Sequence, residues 1–92
     1  MARSGYLLSV SSRLRLVEEL RRRGLYVRWH AFEFLLAYRG RIAGVLLLEP
    51  SRGSCTLYCR SCPADLVKQV EEALAEAGVN AVLRVVELRP SQ

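Results

Sequence analysis

The chain has few of the features that identify a membrane or secreted protein. Its longest apolar stretch, residues 42–48, is far shorter than the ~20 residues that a transmembrane helix needs. A signal peptide needs an apolar run of roughly 7 to 15 residues, and Arg13 and Arg15 interrupt the N-terminal segment too soon for one. We therefore expect a cytoplasmic protein with no membrane partner.

Residues that build metal and cofactor sites are also scarce. His30 is the single histidine, and an extended strand would place Cys55 and Cys59 too far apart to share one metal, so no fourth ligand for zinc is evident. The patterns of phosphate loops, dinucleotide-binding turns and hydrolase nucleophile elbows are all absent. We therefore expect no metal, no cofactor and no enzymatic activity, and we assign no catalytic residue.

Three cysteines are present, and this odd number in a chain without an export signal favours reduced thiols over a disulfide framework. The C-x3-C-x2-C spacing of Cys55, Cys59 and Cys62 resembles the cluster-binding loop of radical S-adenosylmethionine enzymes. That family's barrel needs far more chain than follows here. In an extended strand Cys55 and Cys59 would also lie ~13 Å apart, too far to share one cluster. Packing as small buried hydrophobes is the expected role of all three.

Positive charge is abundant and unevenly distributed. Residues 1–60 hold eleven arginines against four glutamates, a net charge of +7, whereas residues 61–92 have a net charge of −2. Of the fourteen basic residues, Lys68 is the single lysine. The arginine fork binds phosphate and also stacks on bases, so the bias is typical of nucleic-acid binding. Arginine-rich codon usage is the alternative explanation.

Length and periodicity predict one α+β domain over residues 1–92, with an ordered core at 5–89. The expected order is β-α-β-β-β-α-β, in which two helices cover one face of a mostly antiparallel sheet of four to five strands. The predicted strands are residues 5–10, 25–38, 42–49, 54–60 and 79–88. The first helix is expected from Ser11 or Ser12 to Gly24, and the second from Pro63 to Gly78.

The long predicted strand, residues 25–38, is the most informative segment because alternate side chains of a strand point to opposite faces. One face would carry Trp29 and other core residues. The opposite face would carry four aromatic rings together with a cation and an imidazole. Two helices can cover one sheet face well, so we expect this second face to meet a partner.

Rings that stack on bases, beside cations that follow the phosphates, are the chemistry of single-stranded nucleic-acid binding. We therefore expect non-enzymatic binding of single-stranded DNA or RNA with low sequence specificity. The alternative is a homodimer or a ribonucleoprotein subunit, in which the aromatic face is a protein interface. The candidate binding residues are Tyr26, Arg28, His30, Phe32, Phe34, Tyr38, Arg39, Arg41, Arg21, Arg22 and Arg23.

The Arg21-Arg22-Arg23 cluster, the aromatic segment YVRWHAFEFLLAY and the RGR hairpin are similar in kind to the ThermoDBP-related single-stranded-DNA-binding proteins of thermophilic archaea. The resemblance is one of architecture and composition over residues 5–88. It implies an apolar cleft flanked by basic residues. The order of segments also resembles small protein subunits of archaeal ribonuclease P and, less closely, the double-stranded-RNA-binding domain.

Overall fold

The computed structural model describes residues 9–88, which form two helices and five strands. The elements are α1 (Val10–Arg22), β1 (Tyr26–His30), β2 (Glu33–Tyr38), β3 (Arg41–Glu49), a 3₁₀ turn (Pro50–Arg52), β4 (Ser54–Cys59), α2 (Ala64–Glu76) and β5 (Val82–Glu87). The predicted strand at residues 5–10 lies almost wholly outside the described residues, and Val10 belongs to α1.

The strands form one sheet in the order β1-β2-β3-β4-β5. The first four pair in antiparallel fashion with their chain neighbours, and β5 pairs with β4 in parallel after the α2 crossover. Both helices bury their apolar side chains in the single core cluster that also holds one face of the sheet. The predicted fold class, a two-layer α+β sandwich, is therefore confirmed.

Helix α1 begins two or three residues earlier than the sequence predicted. Ser9, rather than Ser11 or Ser12, is the N-cap, and its hydroxyl accepts a hydrogen bond from the Ser12 backbone N–H. The buried residues of α1 are Leu16, Val17 and Leu20. The C-terminal signal was correct, because Gly24 adopts the positive φ of 93° that a C′ residue requires.

Helix α2 agrees closely with the prediction. Pro63 is its N-cap, and Asp65 lies in its first turn, where a negative charge interacts favourably with the helix dipole. Its residues Leu66, Val70, Ala73 and Leu74 are buried in the core cluster together with α1 and the sheet. Gly78 follows the helix with a φ of 77° and ends it in the same way as Gly24 ends α1.

The single long strand predicted at residues 25–38 is wrong, because the chain reverses in its middle. Ala31 and Phe32 form a two-residue turn, and β1 and β2 pair as a hairpin in which Trp29 lies opposite Phe34. Directly opposite residues of a hairpin share a face of the sheet. The odd-numbered residues of β1 therefore share a face with the even-numbered residues of β2.

This exchange of faces changes which aromatic rings are exposed. The predicted assignment is correct for β1, where Val27 is buried and Tyr26 is exposed. It is inverted for β2, where Phe34 and Leu36 are buried under the helices, whereas Leu35 lies on the opposite face. A shift of one residue in the alternation along a strand moves every side chain of that strand to the other face of the sheet.

Arg13 of α1 holds the turn in place. Its guanidinium donates a 2.7 Å hydrogen bond to the carbonyl of Ala31 and lies over the Phe32 ring, 4.3 Å from the centroid. The same group lies 5.7 Å from the centroid of Trp29, whose ring stacks on Phe34 at 5.8 Å. This one side chain of α1 thus contacts the turn and also the Trp29 ring, which stacks on Phe34.

A disulfide joins Cys59, the last residue of β4, to Cys62, just before α2. The expectation of three reduced thiols is therefore wrong for this pair, although Cys55 is free and buried as expected. The chain turns at Arg60 and Ser61, which brings the two Cα atoms to 5.2 Å, inside the range that a disulfide spans. An odd number of cysteines excludes complete pairing but not one pair.

The backbone conformation of Ala31 in the β1–β2 turn should affect the free energy of unfolding. Ala31 has a φ of 56°, a conformation that is unfavourable for any residue with a Cβ. We expect Ala31→Gly to raise the free energy of unfolding by about 0.5 to 1 kcal/mol, since glycine removes this strain. Urea unfolding would measure the change.

Ala75→Gly is the matched control, because Ala75 is exposed inside α2, where glycine should lower stability by about 1 kcal/mol. If Ala31→Gly were as destabilising as Ala75→Gly, the positive φ at the turn would be wrong.

Candidate nucleic-acid interface

The sheet face opposite the helices is not covered by any other described residue. Its middle row runs across all five strands as Arg28, Leu35, Val45, Tyr58 and Val86. At a spacing of ~4.8 Å between strands, this row is about 19 Å wide. We call this surface the open face. It has an apolar centre and exposed polar or charged residues toward both edge strands.

A second row of the open face places His30, Glu33, Leu47, Thr56 and Arg84 next to one another. A depression of about 450 Å³ lies toward the β1 edge, and its lining includes Arg28, His30 and Leu35. Tyr26 lies beyond it on β1 and is 60% exposed. Three of the predicted binding residues, Tyr26, Arg28 and His30, are thus on this face.

The other predicted rings lie elsewhere. Phe34 is fully buried and stacks on Trp29, so it cannot stack on a base without unfolding of the core. Phe32 is half-buried in the turn under Arg13. Tyr38 faces the helix layer, where its hydroxyl donates a 2.8 Å hydrogen bond to Asp65. The expectation that these rings share one surface with Tyr26 is wrong because the hairpin inverts the faces of β2.

The arginine cluster at the end of α1 makes contacts within the protein. Arg21 donates a 2.9 Å hydrogen bond to the carbonyl of Val27 on the edge strand β1. Arg22 forms a salt bridge with Glu19. Arg23 is mostly buried and joins the two helices through Glu19 on α1 and both Gln69 and Glu72 on α2. Arg21 and Arg23 therefore stabilise the fold, whereas the exposed pair of Arg22 and Glu19 contributes little to stability. All three arginines have acceptors within the protein and are poor candidates for phosphate contacts.

Arg39 and Arg41 lie at one end of the sheet, where the β2–β3 turn approaches the start of α2. Together with Arg60 they line a pocket of about 470 Å³. Arg39 forms a 3.3 Å salt bridge with Asp65, whereas Arg41 and Arg60 are exposed and form no hydrogen bond or ion pair with residues 9–88. The predicted hairpin at this turn is confirmed, with positive φ at both Arg39 and Gly40.

Sequence reasoning missed three residues of these surfaces: Tyr58, Arg60 and Arg84. The alternation on β4 was a signal for the first, because Tyr58 lies between buried Leu57 and Cys59 and so faces the other way. No local pattern marks Arg84, whose position beside Thr56 depends on the parallel pairing of β5. Its guanidinium makes no hydrogen bond or ion pair within the described part of the chain.

Other surfaces offer less chemistry. A depression of about 530 Å³ lies where α2 leads into β5, but Glu71 is its one charged lining residue. Between residues 9 and 88, no cluster of side chains is suited to holding a metal ion. Neither of the two helices in this range has the length and apolarity that a membrane crossing requires.

Comparison with known proteins adds no relative. No protein family, curated protein or solved structure matches this chain. The resemblance to ThermoDBP-related proteins accordingly stays a prediction.

The contact between Tyr38 and Asp65 makes a testable prediction about ionisation. Their hydrogen bond is the main reason that the pKa of Tyr38 is raised above its usual 10.0 and the pKa of Asp65 is lowered below its usual 3.8. We expect Asp65→Ala to bring the Tyr38 pKa back toward its usual value. NMR titration of the Tyr38 ring would measure the change.

The same shifts fix the direction of the pH dependence of stability. The raised pKa of Tyr38 contributes stability below pH 10.0 that is lost as pH rises through the folded-state value. The lowered pKa of Asp65 contributes stability above pH 3.8 that is lost as pH falls through the folded-state value. Glu71→Ala removes a carboxylate from the same helix and should alter neither the pKa of Tyr38 nor the pKa of Asp65. An unchanged Tyr38 titration in Asp65→Ala would contradict this account.

Proposed function

We propose that the protein binds single-stranded nucleic acid, DNA or RNA, on the open face. The observation that carries the proposal is the combination on one uncovered surface of an apolar centre with arginines that have no acidic partner among the described residues. Arg28 lies at one side of the centre and Arg84 at the other. The apolar residues of the middle row, Leu35, Val45 and Val86, are half-buried, and both described helices pack on the other face of the sheet, so this apolar centre is available to a partner.

The types of side chain suit such a ligand. Tyr26 and His30 are exposed planar rings near the β1 edge, and half-buried Tyr58 lies in the middle row. Bases stack on rings of this kind with a gain of ~1 to 3 kcal/mol each, and the gain differs little between bases. Arg28 and Arg84 are placed to bind phosphates on either side of the stacked bases. Low sequence specificity follows, because stacking and phosphate contacts read little of the base edges.

The arginines at the end of the sheet extend the basic surface. Arg41 and Arg60 are available for a further phosphate, since neither is paired within residues 9–88. The net charge of +5 attracts a polyanion at long range and speeds association at low ionic strength. The revised candidate set therefore keeps Tyr26, Arg28, His30 and Arg41 from the sequence prediction and adds Tyr58, Arg60 and Arg84.

Fluorescence titration with labelled single-stranded DNA and RNA at two salt concentrations would test the proposal. Arg28→Ala and Arg84→Ala should each weaken binding and reduce the slope of log affinity against log salt by ~1, as expected for the loss of one phosphate contact. Tyr26→Ala should weaken binding with little change in this slope, because it removes stacking and no charge.

Arg15→Ala is the matched control, because Arg15 is an exposed arginine on α1 in the helix layer, away from the open face. It removes the same charge and should leave affinity nearly unchanged. Equal losses in Arg15→Ala, Arg28→Ala and Arg84→Ala would indicate attraction to net charge without a binding face. No binding of either oligonucleotide at low salt would show that the proposed function is wrong.

A second candidate function is self-association, and exposed apolar residues at β5 favour it. Val82 is 68% exposed and Val85 is 43% exposed, and they lie on opposite faces of this edge strand. An edge strand with free backbone groups and apolar side chains is suited to pairing with another strand. Two copies joined along β5 would place two open faces side by side.

Light scattering of the wild type and of Val85→Lys separates this candidate from nucleic-acid binding. Loss of a dimer in Val85→Lys, with oligonucleotide binding retained by the monomer, would show that the two activities are separate. A wild-type chain that remains monomeric at high concentration would exclude self-association through β5.

A further inference from the structure

The disulfide between Cys59 and Cys62 has two very different ends. Cys59 is 1% exposed at the end of β4, beneath the helices. Cys62 is half-buried and lies in the loop before α2, outside any strand or helix. An external thiolate must reach a sulfur atom to exchange with it. Because Cys62 is the more exposed of the two residues, we expect the thiolate to attack the Cys62 sulfur. Cys59 is then the leaving group.

The surroundings of Cys62 favour a negatively charged attacking group. Helix α2 begins at Ala64, two residues after Cys62, and the positive end of its dipole stabilises a thiolate nearby. Arg60, which lies between the two cysteines, is exposed and has no acceptor among residues 9–88.

The pocket beside this loop extends the positive surface. Arg39, Arg41 and Arg60 line it together with Ser61 and Pro63, the residues on either side of Cys62. Asp65 is the one acidic residue in its lining, and it is already bound by Tyr38 and Arg39. With about 470 Å³, the pocket has room for a small molecule that bears carboxylates.

We propose that the Cys59–Cys62 disulfide is a reversible thiol–disulfide exchange site for small acidic thiols, of which glutathione is the probe. In the first step a thiolate bonds to the Cys62 sulfur, the Cys59–Cys62 bond breaks, and Cys59 leaves as a thiolate that takes a proton from water. In the second step another thiolate attacks the sulfur of the bound thiol and releases Cys62. Two thiols are oxidised to one disulfide, and the protein disulfide takes up the two electrons.

The remaining cysteine is a built-in control. Cys55 is buried on β4, and burial raises the pKa of its thiol to about 11. Its sulfur lies 3.8 Å from the carbonyl oxygen of Val82. A thiol with this pKa is almost wholly protonated near neutral pH and should not react. Cys55→Ser therefore gives a background in which every measured thiol belongs to the exchange site.

The first test follows reduction of the folded, full-length Cys55→Ser protein by glutathione and by neutral 2-mercaptoethanol, at equal thiolate concentration. Samples are quenched by alkylation and counted by mass spectrometry, while circular dichroism confirms that the fold is retained. We expect glutathione to react at least about threefold faster, as attraction by the nearby arginines requires. Arg60→Gln should remove most of this advantage. Arg52→Gln, which removes an exposed arginine near the opposite end of β4, should not.

The second test compares single thiols. In the Cys55→Ser background, Cys62 of a Cys59→Ser variant should be alkylated at least about tenfold faster than Cys59 of a Cys62→Ser variant, because only the former is accessible. Reduction that occurs only in denaturant would show a structural crosslink and overturn the proposal. Equal rates for glutathione and 2-mercaptoethanol in the Cys55→Ser protein would overturn the assignment to acidic thiols. An equal loss of the glutathione advantage in Arg60→Gln and Arg52→Gln would overturn it as well. These readouts use no nucleic acid and so are independent of the function proposed above.

Discussion

Ala31 and Phe32 reverse the chain inside the aromatic segment, and this two-residue turn fixes the face on which each following side chain lies. With the turn in place, Trp29 and Phe34 stack in the core and Leu35 joins the open face. The turn requires a positive φ at a residue that is not glycine, so its geometry must be stabilised by other contacts. Arg13 supplies them from α1 through the Ala31 carbonyl and the Phe32 ring.

Several arginines among residues 9–88 fall into two groups by their contacts. Those near the end of α1 serve the fold, since Arg21 binds an edge-strand carbonyl and Arg23 links α1 to α2. Those on the open face and at the end of the sheet, such as Arg28, Arg41 and Arg84, have no acceptor among residues 9–88. In the amino-acid composition every arginine counts equally, as one unit of positive charge. The contacts show which of them remain available to an external anion.

The corner between β4 and α2 combines several constraints in a short stretch. Gly44 on β3 lies opposite Cys59, and a Cβ at this position would clash with the backbone carbonyl of Tyr58. This close approach brings β3 and the end of β4 together beside the arginine pocket. The disulfide then fixes the direction in which the chain leaves β4 and enters α2. The pocket, the crossover and the sulfur pair therefore depend on the same local geometry.

The sequence by itself determined the fold class, the extent of α2, the β2–β3 hairpin and the two glycine helix ends, because these follow from local periodicity and backbone preference. Tertiary structure alone decided the faces of β2, the pairing of Cys59 with Cys62 and the contacts of Arg21 to Arg23. The alternation of side chains along a strand predicts that neighbours lie on opposite faces. It does not predict which face each residue takes after a turn that the sequence does not reveal. Ala31-Phe32 is such a turn, because it has none of the usual turn residues. A charged side chain likewise carries no local mark of its partner, which comes from a distant segment.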